Sequence, residues 1–279
     1  MRNYSNCFYS DAYKSFTFRK NQRMIKFVSF ILLLACISCN KATTITNMNG
    51  AYSIISQNFK GKSIDTTSAE NKQLKIYIDS VMMYVLVNPA QSVSAFAVGK
   101  FYIDSGKLIE NITFNATENL QSTNIFSDTV AITKNDTGYT QVMKKLVSDK
   151  GEINITESYK STGTTATSAI DGIWQQISSY ALRGKDTITH NDVEYKAFYA
   201  GNFAYGDYYT DAAQKTTGIS YGTFSMDSSH HVTETITAST WPELNGRTFV
   251  LDITTTATIL LLKPPLTQPA IQKYQCIKE

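Results

Sequence analysis

Gly50-Ala51-Tyr52-Ser53-Ile54-Ile55-Ser56 is answered 122 residues later by Gly172-Ile173-Trp174-Gln175-Gln176-Ile177-Ser178. Gly61-Lys62 returns as Gly184-Lys185, and Gly99-Lys100-Phe101-Tyr102-Ile103-Asp104 as Gly222-Thr223-Phe224-Ser225-Met226-Asp227, both at an offset of 123. Glu110-Asn111-Ile112-Thr113 returns as Glu234-Thr235-Ile236-Thr237 at 124. Matches in constant order at nearly constant spacing mark one structural unit written twice. The two copies occupy residues 50–160 and 170–279, and residues 161–169, small and polar, read as a flexible linker. Two self-contained cores on such a linker imply halves that fold independently.

Each copy is rich in Thr, Val, Ile, Tyr and Phe. Ile112/Phe114, Ile153/Ile155 and Phe249/Leu251/Ile253 alternate with polar residues, the period-2 pattern of strands with one buried face. Turn signals recur at short spacing, among them Asp104-Ser105-Gly106-Lys107, Asp149-Lys150-Gly151 and Asn245-Gly246. Sustained helical periodicity is missing, and the only helix expected is a short one around Ser68–Gln73. About eight antiparallel strands per half can close into an up-and-down barrel, which removes exposed sheet edges. The fold class is therefore all-β, two tandem up-and-down β-barrels, with a flat sandwich as the alternative.

Gly-x-Trp at Gly172–Trp174, then Ile177-Ser178 and Gly184-Lys185-Asp186, resembles the small lipocalin-like lipoprotein domains of Bacteroidetes. Tyr221-Gly222-Thr223-Phe224 and Glu234-Thr235-Ile236 resemble that family's middle strands. The likeness is closer over the second copy, because Tyr52 replaces the tryptophan in the first and Val98-Gly99-Lys100-Phe101 lacks the tyrosine. It implies a lipocalin-like barrel and says little about function, since such barrels carry many roles.

Upstream, Phe27-Val28-Ser29-Phe30-Ile31-Leu32-Leu33-Leu34-Ala35-Cys36-Ile37-Ser38-Cys39 is an apolar run shorter than the roughly 20 residues a spanning helix needs. A small residue followed by cysteine at its end is the pattern of a lipoprotein leader, so residues 1–39 read as leader and residues 40–49 as a tether. Cys39 is the expected lipidation site and Cys36 the runner-up. Met24-Ile25-Lys26 is itself a compact basic start, so translation is expected to begin there. Two or three acyl chains suffice for stable anchoring, which places the protein in the bacterial cell envelope, at the periplasmic or surface face of the outer membrane. Residues 1–38 hold six basic and one acidic residue, leaving 20 basic against 22 acidic in the remainder. The formal charge of +3 thus belongs to the leader, and nucleic acid is not an expected partner. Of four cysteines only Cys276 remains as a free thiol, so packing rather than disulfides must stabilise the fold.

Tyr52 and Trp174 share one repeat position and, with Phe101 and Phe224, are assigned to the core. Glu110 and Glu234 share strand parity with Ile112 and Ile236 and so point inward, where a carboxylate either contacts a ligand or pairs with a lysine or arginine. In the aromatic stretch Tyr195–Tyr209, Tyr199, Phe203 and Tyr205 are the candidate ligand-lining residues. His190, His230 and His231 are too few and too poorly spaced for a metal site, and no metal or cofactor is expected. Nucleophile-elbow, zinc-protease and phosphate-loop motifs are missing, so a non-enzyme is expected, with carboxylates gathered by the fold into a hydrolase as the alternative. The functional expectation is a non-catalytic module binding a small apolar or amphipathic ligand. A structural or protein-interaction lipoprotein with filled barrels, and a polysaccharide-binding accessory protein, are the other readings; no protein partner can be named from the sequence.

Overall fold

The computed structural model describes residues 47–62, 65–88, 93–117, 120–122, 126–148, 151–164, 166–183, 186–189, 192–210, 215–264 and 270–277. Residues 1–46, which include the expected leader and both candidate lipidation cysteines, and His190 lie outside them. Nineteen β-strands and one 3-10 turn make up the regular structure of the described residues.

The first half comprises β1 (Gly50–Gly61), β2 (Asp65–Ser68), β3 (Lys72–Ile78), β4 (Val81–Asn88), β5 (Val93–Asp104), β6 (Lys107–Thr117), β7 (Leu120–Ser122), β8 (Phe126–Asn135), β9 (Gly138–Ser148) and β10 (Gly151–Thr162). Strands β1, β3, β4, β5, β6, β8, β9 and β10 pair in that order, and β10 returns to β1 from Ala51↔Thr162 to Gly61↔Ile153, closing an eight-stranded antiparallel barrel. The short β2 and β7 extend β1 and β6 at one rim. The second half has β11 (Gly172–Arg183), β12 (Asp186–Thr189), β13 (Val193–Tyr199), β14 (Asn202–Thr210), β15 (Lys215–Met226), β16 (His231–Ser239), the 3-10 turn Pro242–Leu244, β17 (Thr248–Thr255), β18 (Ile259–Lys263) and β19 (Ala270–Cys276). It closes likewise through β11–β19, with β12 as its rim extension. Both halves are thus up-and-down barrels, and the sandwich alternative falls.

The repeated motifs mark the places where the barrel wall bends. The ladder slips by one residue between Val98 and Gly99 and again between Tyr221 and Gly222. A Cβ at Gly99 would lie 2.2 Å from the Asn111 carbonyl oxygen, and one at Gly222 1.9 Å from that of Thr235, so only glycine allows the bulged neighbour to approach. A second pair of bulges, in β1 and β11, leaves Ile55 and Ile177 outside, 55% and 47% exposed. At the closed end, Met48 and Ile170, both fully buried, seal the barrels beneath Tyr52 and Trp174. Trp174 Nε1 donates to the Ile170 carbonyl at 2.9 Å.

Three expectations change. Ser68–Gln73 forms no helix: Ser68 ends β2, and Gln73 is already in β3, where alternate residues point inward. The tether does not extend to residue 49, because Met48 belongs to the first core and Lys134 Nζ donates to the Asn47 carbonyl at 2.8 Å. The linker is pinned rather than free. Strand β10 continues to Thr162, Thr164 N donates to the Ala200 carbonyl at 2.8 Å, and Ser168 N donates to the Asp171 carboxylate.

The barrels also share a core. Leu74, Ile76, Met83, Val85, Phe96 and Phe114 on the outer face of the first barrel form one buried cluster with Ile173, Tyr195, Ala197, Ala204, Ile219 and Tyr221 on the outer face of the second. Phe96 fills the space a side chain at Gly206 would occupy, and Phe114 packs on Tyr195 with ring centroids 5.4 Å apart. Strands β3–β5 are consequently buried on both sides, and Leu74 to Tyr77 is a continuous buried run. Eleven residues of the first barrel and eight of the second belong to this one cluster. At about 1.5–3 kcal/mol for each large side chain buried, the seam outweighs any tendency of the linker to let the halves separate. Chains cleaved at the linker should therefore remain associated on size-exclusion chromatography. Elution as two monomeric halves would show the seam to be dispensable.

Candidate functional site

Inside each barrel an ion pair spans the wall from β3 to β6 or from β13 to β16. Lys75 Nζ lies 3.1 Å from Glu110 Oε1, and Lys196 Nζ 3.1 Å from Glu234 Oε1, with all four side chains buried. Each lysine also lies near two aromatic rings, of which only Tyr84 and Tyr205 occupy equivalent positions. Lys75 sits 5.9 and 5.5 Å from the ring centroids of Tyr84 and Tyr159, and Lys196 5.9 and 5.5 Å from those of Phe198 and Tyr205. The inward glutamates predicted from strand parity thus have lysine partners. Glu110 also accepts from the Tyr77 hydroxyl, whereas the residue equivalent to Tyr77 in the second barrel is Phe198.

Toward the open end lies a second polar layer, conserved in composition but not in position. In the first barrel Glu157, on β10, accepts from Gln57, Gln141 and Tyr159, and Tyr159 also reaches the Gln73 amide oxygen at 3.3 Å. In the second barrel the register puts Glu194 where Gln73 stands and Gln272 where Glu157 stands. The carboxylate has moved across the barrel and the carboxamide has taken its place. Tyr274, equivalent to Tyr159, now donates to Glu194, joined by Gln176 at 2.9 Å and Gln272 at 3.4 Å. Burial pushes Glu194 up to about 7 in spite of Lys196 and these donors.

The barrels part company at the next position. Leu86 faces Gln73 across β3–β4, and the residue facing Glu194 across β13–β14 is Asp207. One Asp207 oxygen takes part in a hydrogen bond with Tyr205; the other, Oδ1, is fully buried and has no hydrogen-bond partner among the described residues. Burial first, and then the neighbouring Glu194 and Asp192, push Asp207 up to about 8. On β15, Gly218 stands directly opposite Asp207 on the same inward face. The Trp241 ring lies 2.4 Å from where a Cβ at Gly218 would be, so the missing side chain makes room for the indole. Trp241 introduces the 3-10 turn Pro242–Leu244, and Leu244 and Phe249 pack onto the apolar wall that includes Leu251 and Leu262. The upper interior of the second barrel is therefore polar along β13, β14 and β19, apolar along β17 and β18, and flanked by an indole.

Of the candidate ligand-lining residues, Glu110, Glu234 and Tyr205 face the interior, and Phe203 is buried in the apolar core of the second barrel. Tyr199 lies on the inter-barrel seam. Tyr52, Trp174, Phe101 and Phe224 are all buried in barrel cores. His230 and His231 are at an exposed turn, where His231 meets Asp227 and Asp252 at 3.1 and 3.4 Å. Cys276 is partly buried, and its thiol lies 3.7 Å from the Ile277 carbonyl oxygen. A cleft of about 340 Å³ beside Ile55, walled by Asn135, Thr137, Thr140, Ser158 and Lys160, opens on the outside of the first barrel and holds no carboxylate. Sequence reading missed Lys75, Lys196, Glu194 and Asp207. Neither known protein-family models nor curated proteins gave a match to this chain.

Proposed function

We propose that this chain is a lipid-anchored envelope protein of the lipocalin-like Bacteroidetes type that binds a small amphipathic ligand without chemistry, in the upper interior of its second barrel. The observation that carries this reading is Asp207. The same site in the first barrel is served by leucine, so the fold does not require a carboxylate there, and burying one costs stability at neutral pH. The deeper interior is packed with large side chains. Trp174, Phe198, Phe203 and Tyr274 fill the second barrel, and Tyr77, Tyr139 and Met82 the first. Anchoring rests on the leader and its cysteines.

Binding is favoured over hydrolysis because a carboxylate pair that works as acid and base needs its members driven apart in proton affinity. Here burial drives Glu194 and Asp207 in the same direction. A polysaccharide platform needs neighbouring exposed rings, whereas Tyr102 is the one aromatic among the exposed large apolar residues described. Mass spectrometry of the N-terminal peptide from the envelope fraction should find diacylglycerol-modified Cys39; an unmodified soluble product would refute the anchor. Thermal-shift screening of amphipathic small molecules should raise the unfolding temperature of the wild-type chain. If no compound does so, the filled barrels are a structural or interaction module.

A further inference from the structure

We infer that the second barrel selects a ligand bearing an organic ammonium group, held between the unpartnered Oδ1 of Asp207 and the indole of Trp241; this rests on the binding function proposed above. Asp207 is 8% exposed, and its Oδ1 is entirely covered without a donor among the described residues. A covered carboxylate oxygen without a donor calls for one from outside the chain. Among the described residues the charges facing it are one-sided. Glu194 and Asp192 act on Asp207 from β13 and the residue before it, and Tyr205 is its hydrogen-bond neighbour on β14. The cation described in this interior, Lys196, is committed to Glu234 at 3.1 Å. Once Asp207 is ionised, a ligand carboxylate or phosphate would meet like charge and a neutral head would leave the acidic excess uncompensated, whereas an ammonium favours that ionised form.

A metal ion is a poorer occupant, because no group of three or more Asp, Glu, His or Cys among the described residues is arranged to hold one. An ammonium needs fewer ligands and gains from an aromatic face. Trp241 supplies that face, since its ring lies over Gly218, directly across the β14–β15 ladder from Asp207. Leu244, Phe249, Leu251 and Leu262 on the opposite wall then suit a short hydrocarbon tail. No bond is made or broken; the interaction is an ion pair with a cation–π contact.

Three six-carbon probes, hexylammonium, 1-hexanol and hexanoate, separate the head from the tail. Titrated by calorimetry into the full chain, hexylammonium should bind at least about tenfold more tightly than either of the others. Asp207→Leu, which copies Leu86 of the first barrel, should remove that preference, and Trp241→Leu should weaken hexylammonium alone. Asp207→Asn, which retains a polar side chain, guards against a packing effect and should also remove the preference. Binding of 1-hexanol or hexanoate as tight as that of hexylammonium, or hexylammonium binding untouched by Asp207→Asn, would overturn the ammonium inference and leave the binding function standing. If none of the probes binds, and the amphipathic screen is also blank, both fail together.

Discussion

Lys196→Met is expected to destabilise the protein by about 3–5 kcal/mol, because it leaves Glu234 buried without its cation and removes the positive charge that tempers Glu194. Glu234→Gln should cost less, since Lys196 keeps Glu194 as a neighbouring carboxylate. Replacing the pair together, Lys196→Met with Glu234→Leu, should restore much of the loss, as an apolar pair of similar volume avoids the desolvation of both charges. Chemical denaturation of these variants, together with Glu234→Leu alone, decides the point. Additive losses in the double variant would mean that the two side chains are not coupled as the 3.1 Å contact requires.

Asp207→Leu is expected to raise stability at pH 8 while leaving it nearly unchanged at pH 4. The folded state holds the Asp207 proton up to about 8, against an ordinary value of 3.8, and the Glu194 proton up to about 7, against 4.5. Both groups therefore favour the folded state fully below their unfolded values, and that stability is lost as pH rises through the folded ones. Wild-type stability should fall between about pH 4 and pH 8, and the Asp207 share of that fall is several kcal/mol, about 3–5. For a chain of this size that amounts to a melting-temperature difference of roughly 10 °C at pH 8. Glu194→Gln should remove a further part of the slope. Equal pH dependence in wild type and Asp207→Leu would show that the carboxyl is solvated and not buried.

The barrels were legible because their defining signals are local and repeated. Glycine at positions 99 and 222 is fixed by close backbone approach, and turns such as Asp104–Lys107 place Ser105 and Gly106 at φ of 50° and 75°. Strand parity sufficed to turn Glu110 and Glu234 inward. It did not reveal Lys75 and Lys196, because a lysine in an alternating strand reads as a solvated residue unless the neighbouring strand is known. The seam had a signal that barrel reasoning passed over: Val81-Met82-Met83-Tyr84-Val85-Leu86-Val87 is apolar without alternation, as befits a strand buried on both faces. The exchange of Glu157 and Gln73 for Gln272 and Glu194 was invisible because it is compensated across strands distant in sequence. Asp207 was hidden for a simpler reason: within Tyr205-Gly206-Asp207-Tyr208 it resembles a turn aspartate, and only the register with Glu194 shows it inside.

Native mass spectrometry of the intact protein tests the central claim most directly. A small-molecule adduct at one per chain in the wild type, absent from Asp207→Leu and retained when Leu86 is changed to alanine, is the predicted result. A wild-type chain free of any adduct, or an adduct that survives Asp207→Leu, would contradict a binding site in the upper interior of the second barrel.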